Sequence, residues 1–432
     1  MLMRVVIFIF CLIFTLSAVA SPIIEYQLNN GLKIIVKEDH RAPLVAIQLW
    51  YKVGGSYEHE GLTGISHALE HMMSKGTPRY PKGVFSQIIA SNGGLKSATT
   101  GADFTFYFST VTPDKLPLIF ELEADRMNNL LFNPTDLAKE LQVILAERLL
   151  RTDNNPLGTL SERLRATAFL SSPYHHPVVG WPQDIKQFTV FDLRKWYQSW
   201  YAPNNATLIV IGDIKPYQVY AQAKKYFGPL KSKKIPLSKS EKEVKPLGKR
   251  KVIVHFPAKN FSLMLGYTVP SIKTAKQVWE PYGFIILASL LNKQAEQFVQ
   301  EKTFIRQFKA EYIPYSRLNN LFVMHSTLKS SKDIHKLNKK ISEIIKFLQT
   351  NYVNPTLLER VKKQLIAQRI YHLDNIVEQA REIGRLESIG LSWRVFNDFE
   401  IQINQITAQQ LQNIARTYFT DDNLTMAILE PQ

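Results

Sequence analysis

The chain has 432 residues, of which 45% are hydrophobic and 21% are charged, and its formal net charge is +16. This length is too great for one compact core and is typical of two domains of about 200 residues each. The composition argues against an intrinsically disordered, a collagen-like or a polytopic membrane protein.

The first 20 residues follow the three-part pattern of a secretory signal peptide. Arg4 supplies a basic start, residues 5–16 form an apolar run, and small residues precede a cleavage point after Ala20. The run is shorter than the roughly 20 residues that span a bilayer, although an uncleaved anchor remains the alternative. We expect a periplasmic or secreted protein with no stable membrane insertion after cleavage.

The single cysteine of the chain, Cys11, lies inside that apolar run. The mature chain would therefore have no disulfide, no thiolate ligand and no Cys nucleophile. Any metal ion must be held by His, Asp or Glu side chains.

Much of the positive charge is concentrated in residues 231–251, which carry eight Lys and one Arg against two Glu, a net of +7. Such a run is usually a solvated linker. It has no interleaved aromatic residues, and we expect no nucleic-acid partner. A basic surface that faces an anionic membrane or acidic peptides remains the alternative.

The two sides of this basic stretch are related in sequence. Residues 133–154 align without a gap on residues 354–375, with eight of 22 positions identical and the same helical period. We therefore predict two copies of one α/β unit, at residues 21–230 and 249–432. The basic linker between them occupies residues 231–248.

The polar residues of the first copy are missing from the second. Glu147 corresponds to Gln368 and Glu140 to Val361, and the stretch that matches the "HALEH" region is "LASLLNKQ". This one-sidedness indicates that the first copy carries a functional site and that the second keeps only the scaffold.

The stretch "GLTGISHALEHMMSKG" is predicted to form a helix, with Ser66 as a candidate cap. His67 and His71 would then lie one turn apart on one face, where two imidazoles can bind one Zn²⁺. Glu70, beside His71, would reach a metal-bound water without being a ligand. The alternative is a helix with surface histidines.

A catalytic zinc site needs a third protein ligand, and the best candidate is Glu147. It lies on a predicted helix that Asn133 caps, and Glu140, seven residues earlier, lies on the same face. Glu70 would act as general base on the zinc-bound water and return the proton to the leaving amine. The rival histidine ligands lack paired spacing: His59, His175 and His176.

The motif HxxEH, followed 76 residues after its second His by Glu147, resembles the signature of the pitrilysin (inverzincin) peptidases. The segments "SPYHHPVVGWPQDI" and "WYAPNNATLIVIGDI" follow in the order typical of that family. The chain is similar to its two-domain bacterial type and to the β subunit of the mitochondrial processing peptidase. The resemblance implies an α+β fold of two homologous domains, each a mainly antiparallel sheet flanked by helices.

The resemblance also implies a zinc endopeptidase that cleaves short, unfolded peptides. It makes Glu140 an acid beside the metal ligands. It places the substrate along the strand in "LKSATTGADFTFYFS", where Ala98 and Thr100 would contact the peptide. A plain sheet strand is the alternative for that segment.

Active family members close around the substrate with a second two-domain half, which supplies an Arg and a Tyr. This chain has Gln300 and Gln307 at the matching positions. We therefore expect a related, zinc-less partner in a heterodimer, or else a homodimer. A non-catalytic assembly or structural subunit of the same superfamily is the alternative function, and a basic surface-binding protein is a third hypothesis.

Overall fold

The structure is a computed structural model that describes residues 22–237, 242–300 and 305–432. The predicted signal peptide, with its cleavage point and Cys11, lies outside the described residues, as do four residues of the predicted linker. The side chain of Gln300 lies outside them too. Within the described residues, no helix combines the length and the apolar character that crossing a bilayer requires.

The first half of the chain forms a six-stranded sheet in the order β1-β2-β6-β3-β5-β4. The pairing of β2 with β6 is parallel and the other pairings are antiparallel. Among the residues described, the edge strand β4 pairs only with β5. The strands are β1 (Ile23–Gln27), β2 (Lys33–Glu38), β3 (Val45–Tyr51), β4 (Leu95–Thr100), β5 (Thr105–Val111) and β6 (Ala206–Gly212).

The second half forms a five-stranded sheet in the order β7-β11-β8-β10-β9. This is the order of the first sheet without β1, and again one pairing, β7 with β11, is parallel. The predicted α+β fold of two similar, mainly antiparallel sheets is confirmed. The strands are β7 (Arg250–Phe256), β8 (Phe261–Val269), β9 (Ile305–Tyr312), β10 (Asn320–Leu328) and β11 (Leu424–Pro431).

Helices flank both sheets. The helices of the first half are α1 (Ile65–Met72), α2 (Val84–Ser91), α3 (Leu116–Asn129), α4 (Pro134–Arg148), α5 (Pro156–Ala168), α6 (Pro182–Gln187), α7 (Val190–Trp200) and α8 (Pro216–Phe227). Those of the second half are α9 (Glu280–Gln300), α10 (Ser331–Thr350), α11 (Pro355–His372), α12 (Ile376–Ser388), α13 (Phe399–Gln405) and α14 (Ala408–Tyr418).

The aligned segments of the repeat form the same local structure. Helix α4 begins after Asn133 and α11 after Asn354, and each Asn side chain accepts a backbone N–H of the first turn. Pro follows each cap, at the first helical position, where its missing N–H costs no hydrogen bond. The same cap chemistry therefore starts the corresponding helix in each half.

The helix that follows each of these crosses to the other half. Leu160 and Leu164 of α5 pack against Leu429 and other buried residues of the second sheet. Ile383 of α12 packs against Trp50 and other buried residues of the first sheet. Each sheet thus has one face covered by a helix from the other half of the chain.

Gly384 allows α12 to approach the first sheet closely. A Cβ atom at this position would lie 2.1 Å from Cε2 of Trp50, which is fully buried. Real Cβ contacts are never that short, so the packing distance requires glycine here.

Glu243 anchors the described part of the predicted linker to the first half. The side chain of Glu243 is only 3% exposed, and its carboxylate accepts the backbone N–H groups of residues 170–172. No helix or strand occupies residues 231–237 or 242–249. The boundaries at residues 21–230, 231–248 and 249–432 stay a prediction.

Candidate metal centre and catalytic base

Helix α1 carries the predicted histidines, and its first turn is held by a side chain from outside the helix. Gly64 is the N-cap, with a left-handed φ of 89°, so the cap is not Ser66. The carboxylate of Glu58 accepts the N–H groups of Gly64 at 2.6 Å and Ser66 at 2.8 Å. A carboxylate at this end satisfies unpaired N–H groups and suits the helix dipole.

The structure brings His67, His71 and Glu147 together, with one ligand atom of each lying within 4.8 Å of the others. Nε2 of His67 lies 3.7 Å from Oε1 of Glu147, and Nε2 of His71 lies 3.5 Å from Oε2. Two ligands of one tetrahedral zinc ion lie roughly 3.4 Å apart, given bond lengths of about 2.0–2.1 Å. The donor atoms therefore match zinc ligands in type, and the two His–Glu distances lie close to the spacing of a tetrahedral site.

His67 is buried, with 8% of its surface exposed. Burial, reinforced by repulsion from His71 and Arg151, lowers the pKa of its imidazole to about 3. A neutral imidazole is the form that binds a metal ion. Burial thus keeps this ring ready to act as a ligand across the ordinary pH range.

Glu140 lies on the far side of His71 from Glu147. Its Oε2 is 3.1 Å from Nδ1 of His71, and its Oε1 contacts the ammonium group of Lys75. Burial alone would raise the pKa of Glu140, but the hydrogen bonds from Lys75 and His71 outweigh it and lower that pKa. An ionised Glu140 can hold the His71 ring with Nε2 turned toward Glu147.

Glu70 faces the edge strand of the first sheet. Thr100, the last residue of β4, donates its hydroxyl to Oε2 of Glu70 at 2.5 Å. Burial raises the pKa of Glu70, in opposition to that hydrogen bond. Ala98 lies two residues earlier on β4 and is half-buried. Thr100 is therefore in contact with the predicted base, and Ala98 lies two residues before Thr100 on the same strand.

Three neighbours of this cluster were not identified from the sequence. Lys75 lies one turn after His71, so helical periodicity could have identified it. Arg151 donates to Oε1 of Glu147 at 2.8 Å from an exposed position in the π-helical turn that follows α4. Glu58 had no local sequence pattern that pointed to its role, because its partners are backbone groups.

The rival ligands lie elsewhere. His59 is exposed, and His175 contacts Glu60. His176 is buried beside His175. Gln307, which was aligned with a substrate-clamping residue, is an exposed residue of β9.

Two family models match the chain. Residues 33–180 match the model described as insulinase (peptidase family M16), and residues 187–365 match the peptidase M16 inactive domain. His67, Glu70, His71 and Glu147 all fall in the first match. The division agrees with the one-sided distribution of polar residues between the two halves.

Similar proteins span almost the whole chain. The zinc protease PqqE of Helicobacter pylori is 30% identical over 421 residues, which cover 94% of this chain and 92% of that protein. A probable mitochondrial-processing peptidase subunit beta of Arabidopsis thaliana is 28% identical over 205 residues, 48% of this chain and 38% of the relative.

The fold has a close match among solved structures. The crystal structure of a protease from Helicobacter pylori superposes with a TM-score of 0.88 at 28% identity, covering 95% of this chain and all of that one. The resemblance to the pitrilysin-type peptidases is thus confirmed across both halves. The chain belongs to the insulinase family of peptidases, peptidase family M16.

Proposed function

We propose that the protein is a zinc-dependent endopeptidase that cleaves short, unfolded peptides, with Glu70 as its general base. The observation that carries this proposal is the arrangement of Glu70 between the cluster of His67, His71 and Glu147 and the end of the edge strand β4. A base, a set of metal ligands and an open strand edge meet at one place.

His67, His71 and Glu147 would hold the zinc ion, and Glu140 would orient His71. Zinc, when bound, would polarise the scissile carbonyl and make a water molecule more acidic. The two imidazoles and one carboxylate leave a coordination position free for the reaction, as catalytic sites require.

Glu70 would accept the proton of the attacking water and deliver it to the leaving amine. The raised pKa that burial gives this carboxyl increases its basicity in the ionised form. The hydroxyl of Thr100 would fix the orientation of the carboxylate. Glu70 is partly buried, so its surroundings also limit the access of bulk water.

The substrate would bind as an added strand along β4. This strand is at the sheet edge, and in the part of the chain that the structure describes it pairs with β5 alone, which leaves backbone groups on its other side unpaired. Leu95 is 73% exposed there. Ala98 and Thr100 would contact a peptide on this edge. Strand addition requires an extended segment, which short or unfolded peptides offer and folded domains do not.

The second candidate function is a non-catalytic assembly or structural subunit. The match of residues 187–365 to an inactive domain favours it for the second half. The first half, however, contains all four residues that the chemistry needs. A subunit without activity has no need for a buried base next to a set of metal ligands.

We further propose that a partner completes the substrate chamber. Gln300 and Gln307 stand where a clamp of Arg and Tyr would be needed, so a related, zinc-less chain would supply that pair in a heterodimer, or a second copy would close a homodimer. The sequence of the first 20 residues supports a periplasmic or secreted location.

The decisive experiment measures zinc content and peptide hydrolysis of the wild type and Glu70→Gln, each with and without the partner chain. We expect Glu70→Gln to keep its zinc and to lose about 10²–10⁴-fold in kcat. Glu343→Gln removes an exposed carboxylate of α10 and is the matched control, with unchanged activity. Full activity in Glu70→Gln would exclude Glu70 as the base. A wild type that binds zinc but hydrolyses no peptide would favour the second candidate function, a non-catalytic subunit.

A further inference from the structure

A cavity of about 500 Å³ opens between the two halves of the chain. Helix α5 and the loop that contains His175 and His176 form one wall, and α12 with the β9–β10 connection forms the other. None of the residues assigned to zinc or base chemistry lines it. The cavity is therefore a separate feature of the molecule.

Two arginines from opposite walls line the cavity, Arg165 on α5 and Arg385 on α12. Nη1 of Arg165 donates to Oδ1 of Asn320 at 3.3 Å, but that oxygen already accepts the Leu321 N–H at 2.8 Å. Among the residues described, neither Arg165 nor Arg385 has a carboxylate within 4.0 Å. Burial lowers the pKa of both guanidinium groups, because each charge is partly removed from water.

The two acids that line the cavity, Glu162 and Asp103, already have hydrogen-bond partners. Glu162 receives two hydrogen bonds from Arg148, at 2.8 and 3.0 Å. Asp103 accepts from the hydroxyl groups of Ser56 and Tyr174, at 2.6 and 2.5 Å. Neither acid therefore pairs with Arg165 or Arg385, and the charge of Arg385 is partly offset by Glu378 and Glu382 on the same helix.

His176 also lines the cavity. Its side chain is buried, with 7% exposed, and its Nδ1 has no hydrogen-bond partner. Burial, with the nearby His175, lowers the pKa of His176 to about 4. The neutral ring carries one N–H donor and one acceptor nitrogen.

We propose that this cavity binds an oxyanionic group, a carboxylate or a phosphate, between Arg165 and Arg385, with His176 as a further polar contact. The planar guanidinium fork matches the geometry of both anions. An anion would also offset the cost of holding two cations in a partly desolvated cavity. The lining is otherwise largely apolar, which strengthens charge-assisted hydrogen bonds.

The oxyanion has two conceivable sources. It is a free small anion, or it belongs to a peptide substrate, since residues 101–104 of the lining directly follow the edge strand β4. The second source rests on the proposed function, because it requires a peptide on β4. An acidic side chain or a terminal carboxylate would then extend past Thr100 into the cavity.

The test is calorimetric titration of the full chain with inorganic phosphate and with succinate, in a buffer free of multivalent anions. We expect saturable binding of at least one probe, weakened about tenfold or more in Arg165→Gln and in Arg385→Gln. Arg163→Gln removes an exposed charge two residues away on α5 and is the matched control, with unchanged binding. The thermal midpoint of each variant confirms that it is folded.

Arg385→Lys keeps the charge and loses the fork, so it should weaken binding even if a Gln variant fails to fold. The absence of saturable binding for both probes, or an equal loss in Arg163→Gln, would overturn the proposal.

The source is identified with two labelled peptides, one with Asp, Glu and a free C-terminus and one with Asn, Gln and a C-terminal amide. Both are titrated into Glu70→Gln, which should not cleave them. Tighter binding of the acidic peptide identifies the peptide as the source of the oxyanion, provided that this preference disappears in the double variant Glu70→Gln with Arg385→Gln. Equal binding of the two peptides, with phosphate or succinate still bound, identifies a free anion. The anion titrations need no hydrolysis, so they stand apart from the proposed peptidase activity.

Discussion

Glu140 and His71 are joined by a contact of 3.1 Å between Oε2 and Nδ1, on the side of the ring that faces away from Glu147. Lys75 neutralises the other oxygen of the same carboxylate. The contact fixes which ring nitrogen of His71 is available for a metal ion, and it does so from the helix that also carries Glu147.

We predict that Glu140→Gln lowers zinc affinity about 10–100-fold, because the His71 ring loses its charged acceptor. The measurement is competition with a chelator of known affinity. Asp136→Asn, which removes another carboxylate of α4 that pairs with Lys82, should leave zinc affinity unchanged. Equal affinities of Glu140→Gln and the wild type would contradict this role.

Arg151→Gln should raise zinc affinity slightly, in contrast to the loss expected for Glu140→Gln. Arg151 donates to Oε1 of Glu147, which makes that carboxylate a weaker ligand and places a cation beside the metal position. Because 78% of the Arg151 side chain is exposed, water screens most of this effect. We expect zinc affinity to rise no more than about fivefold, as for an exposed ion pair. A loss of affinity would show that Arg151 supports the site.

The cap at the start of α1 predicts a pH-dependent stability. Burial, partly opposed by the N–H groups of Gly64 and Ser66, raises the pKa of Glu58 from 4.5 to about 7. Between these values the folded chain binds more protons at Glu58 than the unfolded chain does. The contribution of Glu58 to the free energy of unfolding is therefore largest below pH 4.5 and falls as the pH rises through 7, by up to about 3 kcal/mol.

Urea denaturation at pH 5 and pH 8, with a chelator present, measures this effect. Glu58→Gln cannot titrate, so the stability of the wild type relative to this variant should fall between pH 5 and pH 8. His67, whose pKa is lowered, adds the opposite slope to both proteins and cancels in the comparison. Parallel pH profiles would show that Glu58 keeps an ordinary pKa.

Gly384→Ala should destabilise the protein, although alanine normally favours a helix over glycine by about 1 kcal/mol. The new methyl group would collide with Trp50, which has no room to move. We expect a loss of about 1–3 kcal/mol, the usual cost of overpacking. In a double-mutant cycle, Trp50→Leu should remove most of the additional cost. Additive effects would show that the collision is relieved elsewhere.

The sequence was sufficient to predict the parts of the candidate site in which the residues lie on a single helix. His67 and His71 share a face because they are four residues apart, and the sequence repeat between the halves is enough to predict α4 and α11 as corresponding helices. The common strand order of the two sheets also follows from that repeat.

Other parts depend on contacts between distant segments. The carboxylate of Glu58 binds backbone groups, which no side-chain pattern reveals. Glu243 was expected in a solvated stretch, but its carboxylate is held by three N–H groups of residues 170–172. Arg165 and Arg385 face one cavity only because α5 and α12 cross between the halves.

Because α5 and α12 cross between the halves, each half of the chain covers an apolar sheet face of the other half. A chain cut within the basic stretch would leave two polypeptides, each with an apolar sheet face that only the other can cover. Co-expressed as residues 22–237 and 242–432, they should assemble without a covalent connection, and either one produced alone should aggregate. The covalent connection between the halves raises their effective concentration. The packing of the exchanged helices is what holds the two halves together.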